Sequence, residues 1–305
     1  MAVDQQPQIE KTQSQRPGPR HPWWLRNRFW VQVASLVLAN SFFLRHFKGF
    51  CYPVLNCWSC PGANFACPIG ALQNACSDAG YRIPGAPSLL QGILASIPIY
   101  VLGTLFLFSS LFGRMMCGWL CPFGWLQEQV GRLRRKKLPI PNALSYLRYA
   151  VLVVLVLIIP YYTHTPWFSK LCPQGALQGG LLQPLVDPSV REMMQSWWWA
   201  KQAILIVVVV AMVLWRRPFC ATVCPLGAIF SLFNRVSAWD IRFDQDKCVN
   251  CLWCVKHCPQ GIDPRRDVNG HKCVGCLECQ KCPYGAIHSA PKWASPREAG
   301  EPVEH

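Results

Sequence analysis

Cys248-Val-Asn-Cys251-Leu-Trp-Cys254-Val-Lys-His-Cys258-Pro259 and Cys273-Val-Gly-Cys276-Leu-Glu-Cys279-Gln-Lys-Cys282-Pro283 decide how the end of this chain is built. Thiolates at C-x2-C-x2-C spacing grip three irons of one cubane on a tight loop. The fourth Cys, beside a Pro, turns away and ligates the neighbouring cubane. Cys248, Cys251, Cys254 and Cys282 are therefore read as one 4Fe–4S site. Cys273, Cys276, Cys279 and Cys258 form the second. Zinc also takes Cys tetrads, but two successive runs of this form point to iron–sulfur. Only two residues separate Cys279 from Cys282, one fewer than is usual, which makes the second loop tighter.

Working outward, composition sets the setting. The chain has 305 residues, 18 Cys and 14 Trp, and only 15% of its residues are charged, too few for an ordinary soluble surface. The formal net charge of +15 raises the question of nucleic acid. Here the cations sit beside apolar segments, as the positive-inside rule describes, and no nucleic-acid partner is expected. Residues 1–28 read as a disordered basic tail without the apolar core or cleavage site of a signal peptide. Residues 291–305 read as a flexible tail.

Four apolar stretches are each near the roughly 20 residues that cross a bilayer: Phe29–Phe47, Leu89–Phe112, Leu147–Tyr162 and Trp197–Trp215. Arg114, Arg132, Arg134, Arg135, Lys136 and Lys137 follow the second; Arg216, Arg217 and Arg235 follow the fourth. The intervening loops carry few cations. Both termini are thus expected on the cytoplasmic side of a bacterial-type inner membrane. The expected architecture is a mainly α, four-span membrane domain over 29–236 and an α+β dicluster ferredoxin domain over 237–290.

The membrane domain contains a repeated phrase: Cys67-Pro-Ile-Gly-Ala-Leu-Gln, Cys121-Pro-Phe-Gly-Trp-Leu-Gln, Cys172-Pro-Gln-Gly-Ala-Leu-Gln and Cys224-Pro-Leu-Gly-Ala-Ile-Phe. Cys67 matches Cys172, and Cys121 matches Cys224, at almost equal separation. Two spans and two Cys-Pro sites per unit imply a duplication, with parallel repeats about an axis along the membrane normal. On the inner side, Cys117-Gly-Trp-Leu-Cys121-Pro and Cys220-Ala-Thr-Val-Cys224-Pro could together supply four thiolates. A further cubane or other metal site, a redox-active dithiol and inert buried cysteines all stay open. On the outer side, Cys57, Cys60, Cys67 and Cys172 make another tetrad. Disulfides among Cys51, Cys57, Cys60, Cys67, Cys76 and Cys172 are the competing reading.

Haem is not expected, because His46 and His164 lie at outer ends of spans and Cys57-Trp-Ser-Cys60 is followed by Pro61. His164 could accept a quinol proton, and Trp197–Trp199 could wall a quinone. Both read more simply as interfacial anchors. Lys247, Lys256, Arg265, Arg266 and Lys272 could dock an acidic redox partner or face an anionic leaflet. No hydrolase constellation, phosphate loop or dinucleotide fingerprint is present.

Four spans, two C-x3-C-P motifs and a terminal dicluster ferredoxin resemble the NapH/NosR family of membrane-bound 4Fe–4S proteins, NapH-type members most of all. The resemblance runs from about Phe29 to Ala290. It implies electron transfer linked to a quinone pool, as a quinol dehydrogenase component serving a reductase or ferredoxin partner. NosR-type members carry an outer FMN-binding domain and copper-reducing members an outer Ig-like domain. The longest outer loop here, about 48–88, has no room for either. The Cys51–Cys76 run departs from the pattern. A metal-reducing assembly factor and a redox sensor remain the alternatives.

Overall fold

In this computed structural model the described residues are 22–40, 51–57, 65–85, 88, 97–134, 137–138, 140–186, 188 and 196–293. Most of the tails, Cys60, and parts of the expected first and second spans lie outside them.

The repeated Cys-Pro phrase is a helix start. Pro122 opens Pro122–Gly131 and Pro225 opens Pro225–Phe233, with Cys121 and Cys224 as N-caps at ψ 116° and 112°. Cys172 precedes Pro173–Gly175 with a similar extended backbone, at ψ 121°. Proline suits the first helical position because its φ is preset and its missing N–H has no partner there anyway. The glycine two residues on donates its N–H to the cap: Gly124 N to Cys121 Sγ at 3.4 Å, Gly227 N to Cys224 Sγ at 3.3 Å. C-P-x-G thus encodes a sulfur-capped helix start, where the positive end of the macrodipole favours a thiolate.

Two helices, Ala143–Thr163 and Trp197–Leu214, are long and apolar enough to cross a membrane. Trp197–Leu214 leaves Ile206, Val207 and Val210 more than half exposed, which a core helix of a soluble protein would not do. The described parts of the other two expected spans are the shorter helices Arg28–Ala39 and Ile99–Phe112.

The tail expected over residues 1–28 stops sooner than its charge and prolines suggest. Trp23–Arg26 form a helical turn with Leu25 fully buried, and Arg28 opens the next helix at only 5% exposure. The reason is pairing: Arg28 reaches Glu128 at 2.8 Å and Glu278 at 3.2 Å, which offsets its burial.

Helix Arg28–Ala39 also orders the interior. Arg28 and Gln32 donate to Gly118 O, Ser35 donates to Leu120 O and meets Tyr52 Oη, Asn56 donates to Ala39 O, and Gln178 donates to Asn40 Oδ1. At 1.5 Å per residue, Arg28 to Asn40 covers roughly 18 Å. The inner and outer Cys sets, expected on opposite faces, therefore share one buried cluster that contains Cys51, Cys117, Cys121, Cys172 and Cys224, with Cys67 packed against it. Segment 51–57 is responsible, because it folds inward: Val54 and Leu55 are buried in that cluster.

At the C-terminal end, β1 (Trp239–Phe243) pairs antiparallel with β2 (Ile287–Pro291), Trp239 opposite Pro291 and Phe243 opposite Ile287. Ile241 and Ile287 turn inward with Cys254, Leu277 and Cys279, and Leu25 and Trp119 from two earlier helices complete that core. The junction is close. A Cβ on Gly118 would lie 2.6 Å from Val274 O and 3.0 Å from Cys276 Cα. Gly275, at φ +57°, has room for only a hydrogen against Met115 Cα, and its carbonyl accepts from Trp119 Nε1 at 3.1 Å.

Gly275→Ala should therefore lower the unfolding temperature of the ferredoxin region and expose it to protease, with about 1–2 kcal/mol from the left-handed backbone alone. Gly103→Ala, where an added Cβ meets nothing within 4 Å, should lower neither. Equal behaviour of the two variants in thermal melts would contradict the close junction.

Candidate metal centres

The two ferredoxin loops share one backbone shape. Asn250 and Gly275 both have φ 57°, and the leucines that follow the next cysteine, Leu252 and Leu277, have φ 59° and 58°. Leucine avoids this region because its Cβ crowds the carbonyl, so the same exception at both sites marks a shape imposed by the fold. Backbone N–H groups face the sulfurs: Gly275 faces Cys273, Glu278 faces Cys276, and Gln260, Gly261 and Ile262 face Cys258. Cys279 faces Cys276, Cys273 and Cys258. Cys254 faces Cys282, and Arg265 faces Cys254 and Cys248. Cys251 is exposed. Cys258 is thus brought to Cys273, Cys276 and Cys279, and Cys282 to Cys254, which Cys279 also faces.

The C-x3-C-P motifs meet as well. Cys117, Cys121, Cys220 and Cys224 face one another in all six pairings. Gln127 Nε2 donates to Cys220 Sγ at 2.9 Å. Burial pushes the Cys117 thiol up to about 11 against the opposing pull of Arg114 and Arg217, and pushes Cys121 to about 12. Without a cation such thiols stay protonated. Metal binding would displace those protons.

Around this tetrad sit residues that spacing did not single out. Arg114, Arg148 and Arg217 are among the largest fully buried side chains. Arg114 and Arg217 each lie three residues before the first Cys of their own motif, and each reaches across to the other: Arg114 Nη2 donates to Cys220 O at 3.1 Å, Arg217 Nη1 to Cys117 O at 3.4 Å. Arg114 Nη1 and Arg148 Nη2 both donate to His271 O at 2.7 Å. Glu128 pairs with Arg28 and Arg217. The available signal was R-x2-C-x3-C-P written twice.

In the outer set, Cys172 faces Cys67 and Cys57, and Cys67 faces Cys57. These three line a cavity of about 260 Å³ with Lys170 and Lys201 beside it; Cys60 lies outside the described residues. Gln178 Oε1 accepts from Cys57 N at 2.6 Å. Consecutive backbone N–H groups connect the sets, with Leu55 facing Cys121 and Asn56 facing Cys67. The described cysteines are all free thiols.

Among the described residues no three such side chains close around a single metal ion. One tetrahedral ion with bonds near 2.3 Å holds its sulfurs about 3.8 Å apart.

Other candidates take structural roles. His164 stacks on Tyr81 at 3.8 Å and lies 3.2 Å from Ser77 O. Trp198 donates to Gly180 O at 2.9 Å. Lys272 donates to Asn142, and Arg265 pairs with Asp263.

The description "4Fe-4S binding domain" matches residues 95–141, 146–187 and 197–243, and a second family of the same description matches 241–262. The chain is 32% identical over 198 residues to an uncharacterised protein of Methanocaldococcus jannaschii, covering 62% of this chain and 74% of the relative. Similarity to the ferredoxin-type protein NapH of Haemophilus influenzae is 24% over 284 residues, 85% of this chain and 87% of that protein. The regulatory protein NosR of Stutzerimonas stutzeri is 30% identical over 191 residues, 57% of this chain and 25% of NosR. The chain belongs to the NapH/NosR-type family of ferredoxin-like 4Fe–4S proteins. No solved structure matches it. The matches at 95–141 and 197–243 each contain one C-x3-C-P motif.

Glu128 gives a prediction for this NapH/NosR-type core. Burial alone would raise its carboxyl, but Arg217 and Arg28 outweigh it and hold the group below the usual carboxylate range. Its contribution to stability is therefore complete above about pH 4.5 and lost as pH falls through the lowered folded value. Glu128→Gln leaves two buried guanidinium groups without their carboxylate and should cost about 3–5 kcal/mol at pH 7, with a shallower loss of melting temperature on acidification than the parent. An unchanged melting temperature at pH 7 would contradict the pairing.

Proposed function

We propose that this chain relays single electrons along a buried column of iron–sulfur sites, between a quinone pool or outer redox partner and the two ferredoxin clusters on the cytoplasmic side. The observation that carries this reading is the order of thiol sets along helix Arg28–Ala39. The outer set lies level with Asn40, the C-x3-C-P tetrad beside Gly118 and Leu120, and the Cys273–Cys279 loop against Gly118.

The donor chemistry fits 4Fe–4S groups: four thiols per set, backbone and amide N–H groups aimed at sulfur, and buried arginines that suit an anionic centre. Cys248, Cys251, Cys254 and Cys282 would hold one group, Cys258, Cys273, Cys276 and Cys279 the second, and Cys117, Cys121, Cys220 and Cys224 a third. Cys57, Cys67 and Cys172, with Cys60, would hold a fourth. Bound 4Fe–4S groups supply reversible one-electron chemistry over a wide range of potentials. The protein's part is placement. Gly118 and Gly275 remove side chains that would hold the inner tetrad and the ferredoxin loop apart, and tunnelling falls exponentially with distance. Trp119, through its bond to Gly275 O, fixes the two loops against each other. Segment 51–57 fills the space between outer and inner sets and keeps it dry with Val54 and Leu55.

The crossed Arg114 and Arg217 contacts support two parallel repeats about a pseudo-two-fold axis, and the four apolar stretches with cations after the second and fourth favour four spans with both termini cytoplasmic. Quinol oxidation coupled to a reductase, as NapH-type resemblance implies, fits this arrangement. Handing a metal to an acceptor requires reachable thiols, whereas Cys117, Cys121, Cys220 and Cys224 are all 6% exposed or less.

The test uses full-length protein, purified anaerobically and sealed into proteoliposomes. A quinol analogue should bleach the visible absorbance of the ferredoxin clusters. Cys121→Ser with Cys224→Ser should slow the bleaching at least tenfold while the ferredoxin signals persist under dithionite. Bleaching at the parent rate in the double variant overturns the relay.

A further inference from the structure

Arg114, Arg148 and Arg217 are 0, 0 and 2% exposed, and removing a guanidinium from water without a compensating anion is among the costliest acts in folding. Glu128 answers Arg217 and Arg28. Among the described residues no carboxylate pairs with Arg114 or Arg148. Their other donors go to neutral groups, the His271 and Cys220 carbonyls and the Tyr149 hydroxyl, and among the described residues Arg114 Nε, Arg148 Nε and Nη1, and Arg217 Nε have no hydrogen-bond partner. Three buried cations with spare N–H groups thus stand around four buried thiols: Arg114 and Arg217 face Cys117, Arg217 faces Cys220, and Arg148 faces Cys224. Arg114 also faces Cys273, and Arg217 faces Cys276. Two of the cations therefore lie between the inner tetrad and the ferredoxin loop.

Resting on the relay reading above, we infer that Arg114, Arg148 and Arg217 are the built-in counter-charge of the Cys117, Cys121, Cys220 and Cys224 centre, and that they hold its potential up by favouring its reduced form. A 4Fe–4S group with four thiolates carries about two negative charges when oxidised and three when reduced. Each fixed cation in a low-dielectric site is therefore worth more to the reduced form, and this shifts the equilibrium toward it. Glu128 works in the opposite direction by neutralising Arg217.

The experiment is an EPR-monitored redox titration of the full-length protein in detergent, with dithionite as electron donor and iron and labile sulfide counted on each sample. Arg114→Gln and Arg217→Gln should keep their iron and lower one midpoint by at least tenfold in the reduction equilibrium, about 59 mV for one electron. Arg114→Lys should recover part of the fall, and Glu128→Gln should raise the same midpoint. A purely structural role gives no such opposite signs. Arg148→Gln, which breaks no ion pair, should also lower the midpoint and keeps the test open if a variant at Arg217 fails to fold. Unchanged midpoints in iron-replete Arg148→Gln and Arg114→Gln overturn the inference while leaving the relay standing. About eight irons in the parent protein would remove the inner centre itself, and with it both readings.

Discussion

Backbone meets backbone where Gly118 lies against Val274 and Cys276, and where Gly275 lies against Met115. The rest of the structure depends on that approach. It lets the C-terminal cysteine loops sit directly on the Cys117, Cys121, Cys220 and Cys224 set rather than hang from a linker. Trp119 holds the contact by a hydrogen bond, Arg28 clamps it from the side through Gly118 O, Glu128 and Glu278, and Asn234 bonds Gly270 O and Cys273 O from the last membrane-domain helix. A side chain at either glycine would widen the gap between two thiol sets whose usefulness falls steeply with distance.

The second constraint is local. Proline after cysteine starts a helix, glycine two places later gives its N–H to the sulfur, and the cysteine becomes the cap. Repeating that phrase places Cys121 and Cys224 at helix starts in an apolar interior. The burial of these thiols raises the cost of leaving them charged. The buried arginines are the matching half of that balance.

Much of this proximity was legible in residue order, because C-x2-C and C-x3-C-P spacing is short-range. The approach of Cys258 to Cys273 and Cys279, of Cys282 to Cys254, of Cys117 and Cys121 to Cys220 and Cys224, and of Cys172 to Cys57 and Cys67 was expected from motif and repeat. What residue order hid was long-range. Segment 51–57 looks like an outer loop because its loop carries few cations, yet its apolar Val54 and Leu55 carry it into the core. Arg28 looks like part of a basic tail, yet it is buried by two carboxylates a hundred and more positions away. Arg114 and Arg217 looked like positive-inside charges; their equal offset from the two C-x3-C-P motifs was visible, but its meaning needed the crossed contacts to Cys220 O and Cys117 O.

The central claim is that the membrane domain holds iron–sulfur of its own, in line with the ferredoxin clusters. Counting iron and acid-labile sulfide per chain in anaerobically purified full-length protein tests it most directly. The account predicts about twelve to sixteen of each, three or four cubanes. About eight, unchanged in Cys121→Ser with Cys224→Ser, would confine the clusters to Cys248–Cys282 and contradict it.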